Sequence, residues 1–468
     1  MALFVLVFAV DVACPNGMTA DSIRAVAVGV SIVHWHTIAL SHLQPLLDPG
    51  QAVTVAHGQI YPFFPWAVSL FSVPWIVGSD LLHKLGLGEG SVAMVRSTHD
   101  WGLQIVSMAS VIAGTAVFVY FTALELLRVG SRARMRRWSL GVALAFVFTT
   151  SVWSTAGRSM WQQGPSILCI SAALFFAVRA ESGRRGFAAM GASLAVAYAV
   201  RPTDIIPLVL LLAWVMLAHP RRLPSAIAGA ALPAAVFVTV NLVAYHQVLS
   251  PYYTGGQGFA VSGTMAKALA GNLVSPARGL VWYCPLVFLS IVGVVVKRRA
   301  GELTRLWQVL AVIPVLHWVV ISSFKHWWGG DSYGPRLFTD MLPIFAVLAL
   351  PAVEWLAQRT AVEVGGGAAT RPAGPRRRAG YRTLVAGLVI VAAVWGFAVN
   401  AQGAVLRSAW CWNSEPTSVD QQPSKLWQWN DPQFLRGIRT LVWGPDRSTE
   451  LIRNGVDLYG CPVEAVRP

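Results

Sequence analysis

Charge is what this sequence lacks most. Only 12% of its 468 residues are Asp, Glu, Lys or Arg, about half of the roughly 25% found in soluble domains. A chain of this length could not cover its surface with so few polar groups, so a water-soluble fold is excluded and the solvent must be lipid. Lysine is nearly missing, with 5 Lys against 31 Arg. No metal-ligand spacing is present either. His34 and His36 stand two apart, point to different faces of a helix, and have no Cys or carboxylate to complete a site. A phosphate-binding loop of the kind a nucleotide-linked substrate requires is absent, as is any internal repeat. The apolar run from Ala2 has no basic residues before it and no small-residue cleavage site after it, unlike a signal peptide. It reads as a short first span. At about 13 residues it falls below the roughly 20 needed to cross a bilayer, which predicts further residues upstream.

What the sequence does have is apolar length. Apolar residues make up 55%, and mean hydropathy is +0.56. Beyond the first span, apolar stretches run about 100–127, 139–155, 164–180, 187–200, 204–219, 223–245, 280–296, 306–323, 336–357 and 383–401. The net charge of +15 would ordinarily suggest a polyanionic partner. Its distribution argues against nucleic acid. Arginine-rich clusters follow alternate spans, at Arg128–Arg137, Arg179–Arg185, Arg221–Arg222, Lys297–Arg305 and Arg359–Arg382, and hold 20 of the 36 basic residues. By the positive-inside rule these five loops are cytoplasmic. The loops at 156–163, 201–203, 246–279 and 324–335, and the tail after 402, then face outward.

Parity decides one further segment. If Trp66–Leu85, broken by Pro74, Asp80 and Lys84, crossed the membrane, the Arg128 cluster would fall outside. It is expected to be interfacial or re-entrant, which makes residues 14–99 one long external loop. The expected fold is an all-α polytopic bundle of about 11 transmembrane helices, with the N-terminus cytoplasmic and the C-terminus external. Residues 1–401 form the membrane domain, 360–382 a Gly/Pro/Arg-rich cytoplasmic linker, and 402–468 a Trp-rich external cap. Of the cysteines, Cys411 and Cys461 lie in that cap and are candidates to pair. Cys14, Cys169 and Cys284 lie in or near spans and are expected to pack as small apolar groups.

Candidate chemistry collects on the outward loops. Asp21 follows the first span closely, and an ionised carboxylate there can take a proton from a hydroxyl. The alternative is an acid favouring the dipole of a helix over Ser22–Val33. Arg158, Arg201, Arg278 and Arg336 each stand at the outer end of a span, where orientation does not explain them. A guanidinium offers forked hydrogen bonds to phosphate, although each could instead anchor to lipid heads or pair with Asp204, Asp331 or Asp340. The turn HWWGGDSYGPRLFTDMLP, His326–Pro343, combines Trp, Gly, Asp331, Tyr333 and Arg336 as a ligand-binding turn would.

These residues occur in a familiar order: an acid after the first span, Gly58–Pro65 (GQIYPFFP), VWSTAGRSMWQQGP (Val152–Pro165), RPTD (Arg201–Asp204), SPARGL (Ser275–Leu280) and GGDSYGPR (Gly329–Arg336). Over nearly its whole length the chain resembles the actinobacterial multi-spanning relatives of polyprenyl-phosphate-sugar glycosyltransferases, the GT-C fold that includes protein mannosyltransferases. The resemblance implies an inverting transfer at the external face of a bacterial plasma membrane, from a polyprenyl-phosphate sugar to an acceptor hydroxyl on a lipid, protein or polysaccharide. It places Asp21 as general base, with Arg336, then Arg278 and Arg201, on the donor phosphate. Tyr61, Trp161, Gln162, Trp328, Asp331 and Tyr333 become candidate contacts to sugar or acceptor. No cofactor is required, and the role of a divalent metal is left open. The chain departs from the family in one respect: after Asp21, the next acid of the first loop is Asp48. Two rival functions share the sequence features. One is a non-enzymatic lipid or glycolipid transporter or scaffold of the envelope, and the other an oligosaccharide polymerase or ligase using a lipid diphosphate.

Overall fold

The computed structural model describes residues 1–15, 21–43, 52–97, 100–254, 264–364, 377–414 and 417–443, with backbone alone at 359–364, 377–383 and 443. The chain folds into an all-α bundle with one small β-hairpin. The helices are α1 (Ala2–Val12), α2 (Ala25–Trp35), α3 (Val73–Lys84), α4 (Ser91–Arg96), α5 (Trp101–Leu126), α6 (Arg132–Phe148), α7 (Gln163–Glu181), α8 (Phe187–Val200), α9 (Ile205–Ala218) and α10 (Leu223–Tyr245). They continue as α11 (Pro251–Thr254), α12 (Met265–Val274), α13 (Leu280–Tyr283), α14 (Leu286–Arg299), α15 (Arg305–Ser322), α16 (Leu342–Val364), α17 (Arg377–Val405), α18 (Arg407–Cys411) and α19 (Gln433–Trp443).

Among the described residues, 6 helices are long and apolar enough to cross a membrane; they span Trp101–Leu126, Gln163–Glu181, Pro220–Tyr245, Arg305–Ser322, Arg336–Gln358 and Leu384–Val405. The expectation of about 11 is not met on those terms. The other anticipated spans are helices too, but α1, α8, α9 and α14 are only 11 to 14 residues long, and the first turns of α6 carry arginines. Apolar side chains exposed along α10 and α17, among them Leu232, Val243, Leu388 and Val391, suit a lipid environment. Prolines 233, 314 and 351 sit inside α10, α15 and α16, as membrane helices tolerate when neighbours satisfy the freed backbone. Close approach of α8 and α10 depends on glycine: a Cβ at Gly191 would overlap the Ala226 carbonyl, and one at Gly229 the Ala188 carbonyl.

Helix polarity divides the bundle into two ends. At one end the basic clusters meet: Arg184 pairs with Glu125, and His219 with Glu181 at 3.0 Å. There, too, Arg305 Nη1 donates to the Leu217 carbonyl at 2.6 Å, and Gln358 Nε2 to that of Arg128 at 3.2 Å. The opposite ends of α7, α8, α9 and α15 surround a cavity.

The long first segment is more structured than a loop. Its expected helix over Ser22–Val33 is α2. Strands β1 (Val53–Ala56) and β2 (Gln59–Pro62) pair antiparallel around His57 and Gly58, both left-handed at φ 51° and 73°, the backbone that a two-residue I′ hairpin turn demands. The expected interfacial stretch Trp66–Leu85 is a short 3₁₀ turn, Trp66–Phe71, followed by α3. Trp66 Nε1 donates to Asn241 at 2.9 Å and Trp75 Nε1 to Ser110 at 2.9 Å, while Leu81, Leu82 and Leu85 face outward.

The tail folds back onto the bundle. Trp412, Val419 and Leu426 form a small core with Trp327, Trp328, Ala268 and Ala277. Cys411 is disulfide-bonded; its expected partner, Cys461, lies outside the described residues. Cys14, Cys169 and Cys284 are buried free thiols. Most of the expected linker also lies outside the described residues, and helix resumes at Arg377.

Candidate functional site

The cavity measures about 610 Å³, within the 300–1,000 Å³ typical of small-molecule sites. Distant parts of the chain build its walls. The turn before α2 supplies Asp21, the end of the hairpin Phe63 and Phe64, the start of α7 Gln162 and Gln163, and the end of α8 Arg201. Tyr252 and Tyr253 come from α11, Asp331 and Arg336 from the turn before α16, and Asp420 from the tail.

Asp21 and Arg336, separated by 315 residues, meet here: Arg336 Nη2 donates to Asp21 Oδ2. The arginine is closely held. Its guanidinium carbon stands 4.0 Å from the centre of the Trp161 ring, and Nη1 reaches the Gly329 carbonyl at 3.3 Å. The bend that delivers it needs glycine at 329, 330 and 334, at φ 75°, 66° and 67°; at 334 a Cβ would also strike the Tyr283 ring. Asp21 precedes α2 by four residues, too far to lie in its first turn.

Arg201 also lines the cavity. It is in charge contact with Asp340, although its Nε–H is not aimed along the contact, so this is an ion pair rather than an aligned hydrogen bond. Asp204 is also fully buried and accepts from Ser166 Oγ at 2.6 Å. One guanidinium therefore faces two buried carboxyl groups. Both Asp340 oxygens and Asp204 Oδ1 accept no hydrogen bond from the described residues. His317 Nε2–H donates to the Leu337 carbonyl, 2.8 Å away.

Two phenols line the wall between these charges. Burial, and then the negative charge of Asp21, push the Tyr252 phenol up, and burial does the same for Tyr253. Both therefore keep their protons at neutral pH as hydrogen-bond donors. Tyr253 already donates to Gln162 Oε1 at 2.7 Å.

Of the residues singled out in the sequence, Asp21, Gln162, Arg201, Asp331 and Arg336 line the cavity. The others stand behind it or elsewhere. Trp161 lies beneath Arg336, and Trp328 Nε1 holds Asp420 at 2.6 Å. Tyr333 is buried, with its hydroxyl on the Val399 carbonyl at 2.7 Å. Tyr61 packs edge-on against Tyr245 in the hairpin. Arg278 points into the tail. Its five N–H donors are matched by five acceptors: the carbonyls of Trp328, Ala277 and Gly330, Gln433 Oε1 and Asn413 Oδ1. Burial pulls its guanidinium down to about 10, so it stays charged at neutral pH. Arg158, also buried, pairs with Asp11 of α1. His34 binds Asp80 at 2.9 Å.

Phe63 and Phe64 belong to the Gly58–Pro65 motif without being singled out in it, and Tyr252, Tyr253 and Asp420 lie outside the motifs; all five line the cavity. A usable signal was present in the aromatic pairs flanked by proline, YPFFP and SPYY. Asp420 carried none, because only the folded tail brings it near. No family model, curated protein or solved structure matches this chain.

Proposed function

We propose that this chain is a membrane glycosyltransferase that moves a sugar from a polyprenyl-phosphate donor to an acceptor hydroxyl at the external face. The observation that carries this reading is the meeting of Asp21 and Arg336 in one cavity. A glycosyl phosphate requires a base on one side of the anomeric carbon and a cation on the other; the cavity holds one of each, paired at rest, and they must part to admit the donor between them. In the reaction, Asp21 takes the proton of the acceptor hydroxyl, whose oxygen attacks the anomeric carbon from the face opposite the phosphate. The bond between that carbon and the phosphate oxygen breaks, its electron pair stays on the phosphate, and the configuration inverts. Arg336, with Arg201 behind it, stabilises the departing polyprenyl phosphate. Donor phosphate competes with Asp21 for Arg336, so donor binding releases the carboxylate to act. Sidedness follows from the basic clusters at the opposite end of the helices, which the positive-inside rule assigns to the cytoplasm.

Asp21→Asn is expected to lower transfer roughly 10²- to 10⁴-fold, the usual contribution of a general base, while the protein still folds. Transfer retained within a few-fold would remove Asp21 from the mechanism. Labelling of Ser418→Cys by a membrane-impermeant maleimide from outside intact cells tests the sidedness, and labelling only after lysis would place the cavity on the wrong face.

A further inference from the structure

The cavity has two apolar walls of different chemistry. Ile206, Val320 and Leu337 give it aliphatic surface, and a separate group of rings forms an aromatic cluster. The Tyr252 ring stands 4.8 Å from Phe64 and 5.8 Å from Phe63, at interplanar angles of 43° and 88°. The cluster is fixed from both sides, because the Tyr252 N–H donates to the Phe63 carbonyl at 3.3 Å and the Phe63 N–H to that of Ala52 at 3.0 Å. All three rings are only half-buried, so part of each flat surface faces the chamber.

Their position gives them a use. Asp21 lines the same chamber, and it also lines, together with Phe64, a small adjoining recess. A general base must stand within about 2.6–3.2 Å of the proton it removes, so a ring resting here with its hydroxyl toward Asp21 is placed as the acceptor. Flat aromatic faces suit the C–H face of a sugar ring. The tail and the turn before α16 supply Asp331 and Asp420, carboxylates able to accept from sugar hydroxyls.

Building on the glycosyltransferase reading, we infer that the acceptor is a saccharide, seated with a sugar ring on Phe63, Phe64 and Tyr252 and its reactive hydroxyl toward Asp21. The experiment is saturation-transfer NMR on the full chain in nanodiscs, irradiating aromatic protons and using mannotetraose, arabinotetraose, glucotetraose and a Ser/Thr-rich peptide as probes. At least one tetraose should receive saturation on its C–H protons while the peptide receives none. Phe64→Ala and Tyr252→Ala should weaken that binding roughly tenfold or more, whereas Phe64→Tyr and Tyr252→Phe, which keep the rings, should retain it. Size-exclusion profiles establish that the variants are folded, and the ring-preserving pair carries the test if either alanine variant is not. Saturation of the peptide alone, or equal binding by folded alanine variants, overturns the inference. Transfer assays separate the two levels. Glycosylation of peptide with inert tetraoses would overturn the saccharide acceptor and leave the glycosyltransferase standing. Tetraose binding without transfer from any polyprenyl-phosphate sugar would leave the subsite standing and sink the enzyme.

Discussion

Asp21→Asn should bind polyprenyl phosphate more tightly than the native chain even as it loses transfer. In the resting site Asp21 occupies one nitrogen of Arg336, and the donor phosphate must displace it. Asparagine preserves the shape of the side chain but removes the charge that competes. The side chains of the pair are 10% and 24% exposed, between the surface ion pairs worth roughly 0.2–1 kcal/mol and the buried ones whose disruption costs about 3–5 kcal/mol. An intermediate figure of about 1–2 kcal/mol corresponds to roughly 5- to 30-fold tighter binding. Calorimetric titration of nanodisc-embedded protein with a short-chain polyprenyl phosphate measures this directly. Arg336→Ala should weaken binding, and in that background Asp21→Asn should have no further effect. Unchanged or weaker binding by Asp21→Asn alone would show that phosphate does not compete for Arg336, and the proposed division of labour would fail.

Three further outcomes are expected. Arg278→Lys exchanges five fixed donors for three; the Trp328 and Gly330 carbonyls, whose partner is Arg278, are the acceptors at risk, at about 1–3 kcal/mol each, so hydrogen exchange should show residues 407–443 losing about 1–3 kcal/mol or more of protection, and unaltered exchange would refute the keystone role. Gly191→Ala should destabilise the contact of α8 with α10 by about 1–3 kcal/mol, since the overlapping atom is a backbone carbonyl that cannot swing away; a thermal-shift measurement reads this, and no shift would mean the helices part freely. Partial burial raises the Asp80 carboxyl, but the Ser91 N–H at 2.7 Å, the Ser91 hydroxyl at 3.0 Å and His34 outweigh it and hold the group below its ordinary 3.8. Its stabilisation of the α3–α4 corner is therefore complete above that value and lost as pH falls through the lower native one. Exchange rates there should rise in that acid window for the native chain and stay flat for Asp80→Asn.

Much of the helical layout was legible because its causes are local. Long apolar runs in a chain poor in charge leave few alternatives to helix, and arginine clusters mark the ends. The meeting of Asp21 with Arg336 could be anticipated because both sit in short turns at the ends of apolar segments, where charge is costly without a purpose. The hairpin escaped notice because four-residue strands leave little periodicity, although His57–Gly58 is a usable turn signal. Arg278 and Arg336 look alike in sequence, each in a Gly/Pro-containing turn before an apolar helix, yet one faces the cavity and the other the tail. That difference depends on Gln433 and Asn413, more than a hundred residues downstream, and no local pattern encodes it. The tyrosines of α11 were lost for a related reason: only the hairpin's Phe63 and Phe64 turn them into part of a wall.

Asp420 gives the cavity a history as well as a shape. Most of the chamber is assembled from residues up to Leu337, but this panel comes after the last membrane helix and is secured by Trp328 and the Arg278 cluster. A nascent chain halted before the tail would carry the Asp21–Arg336 pair in an open-sided trough, with the enclosure missing. Maturation of the site is thus tied to synthesis of the tail, and truncations that remove it while sparing every membrane helix should still behave as assembly defects.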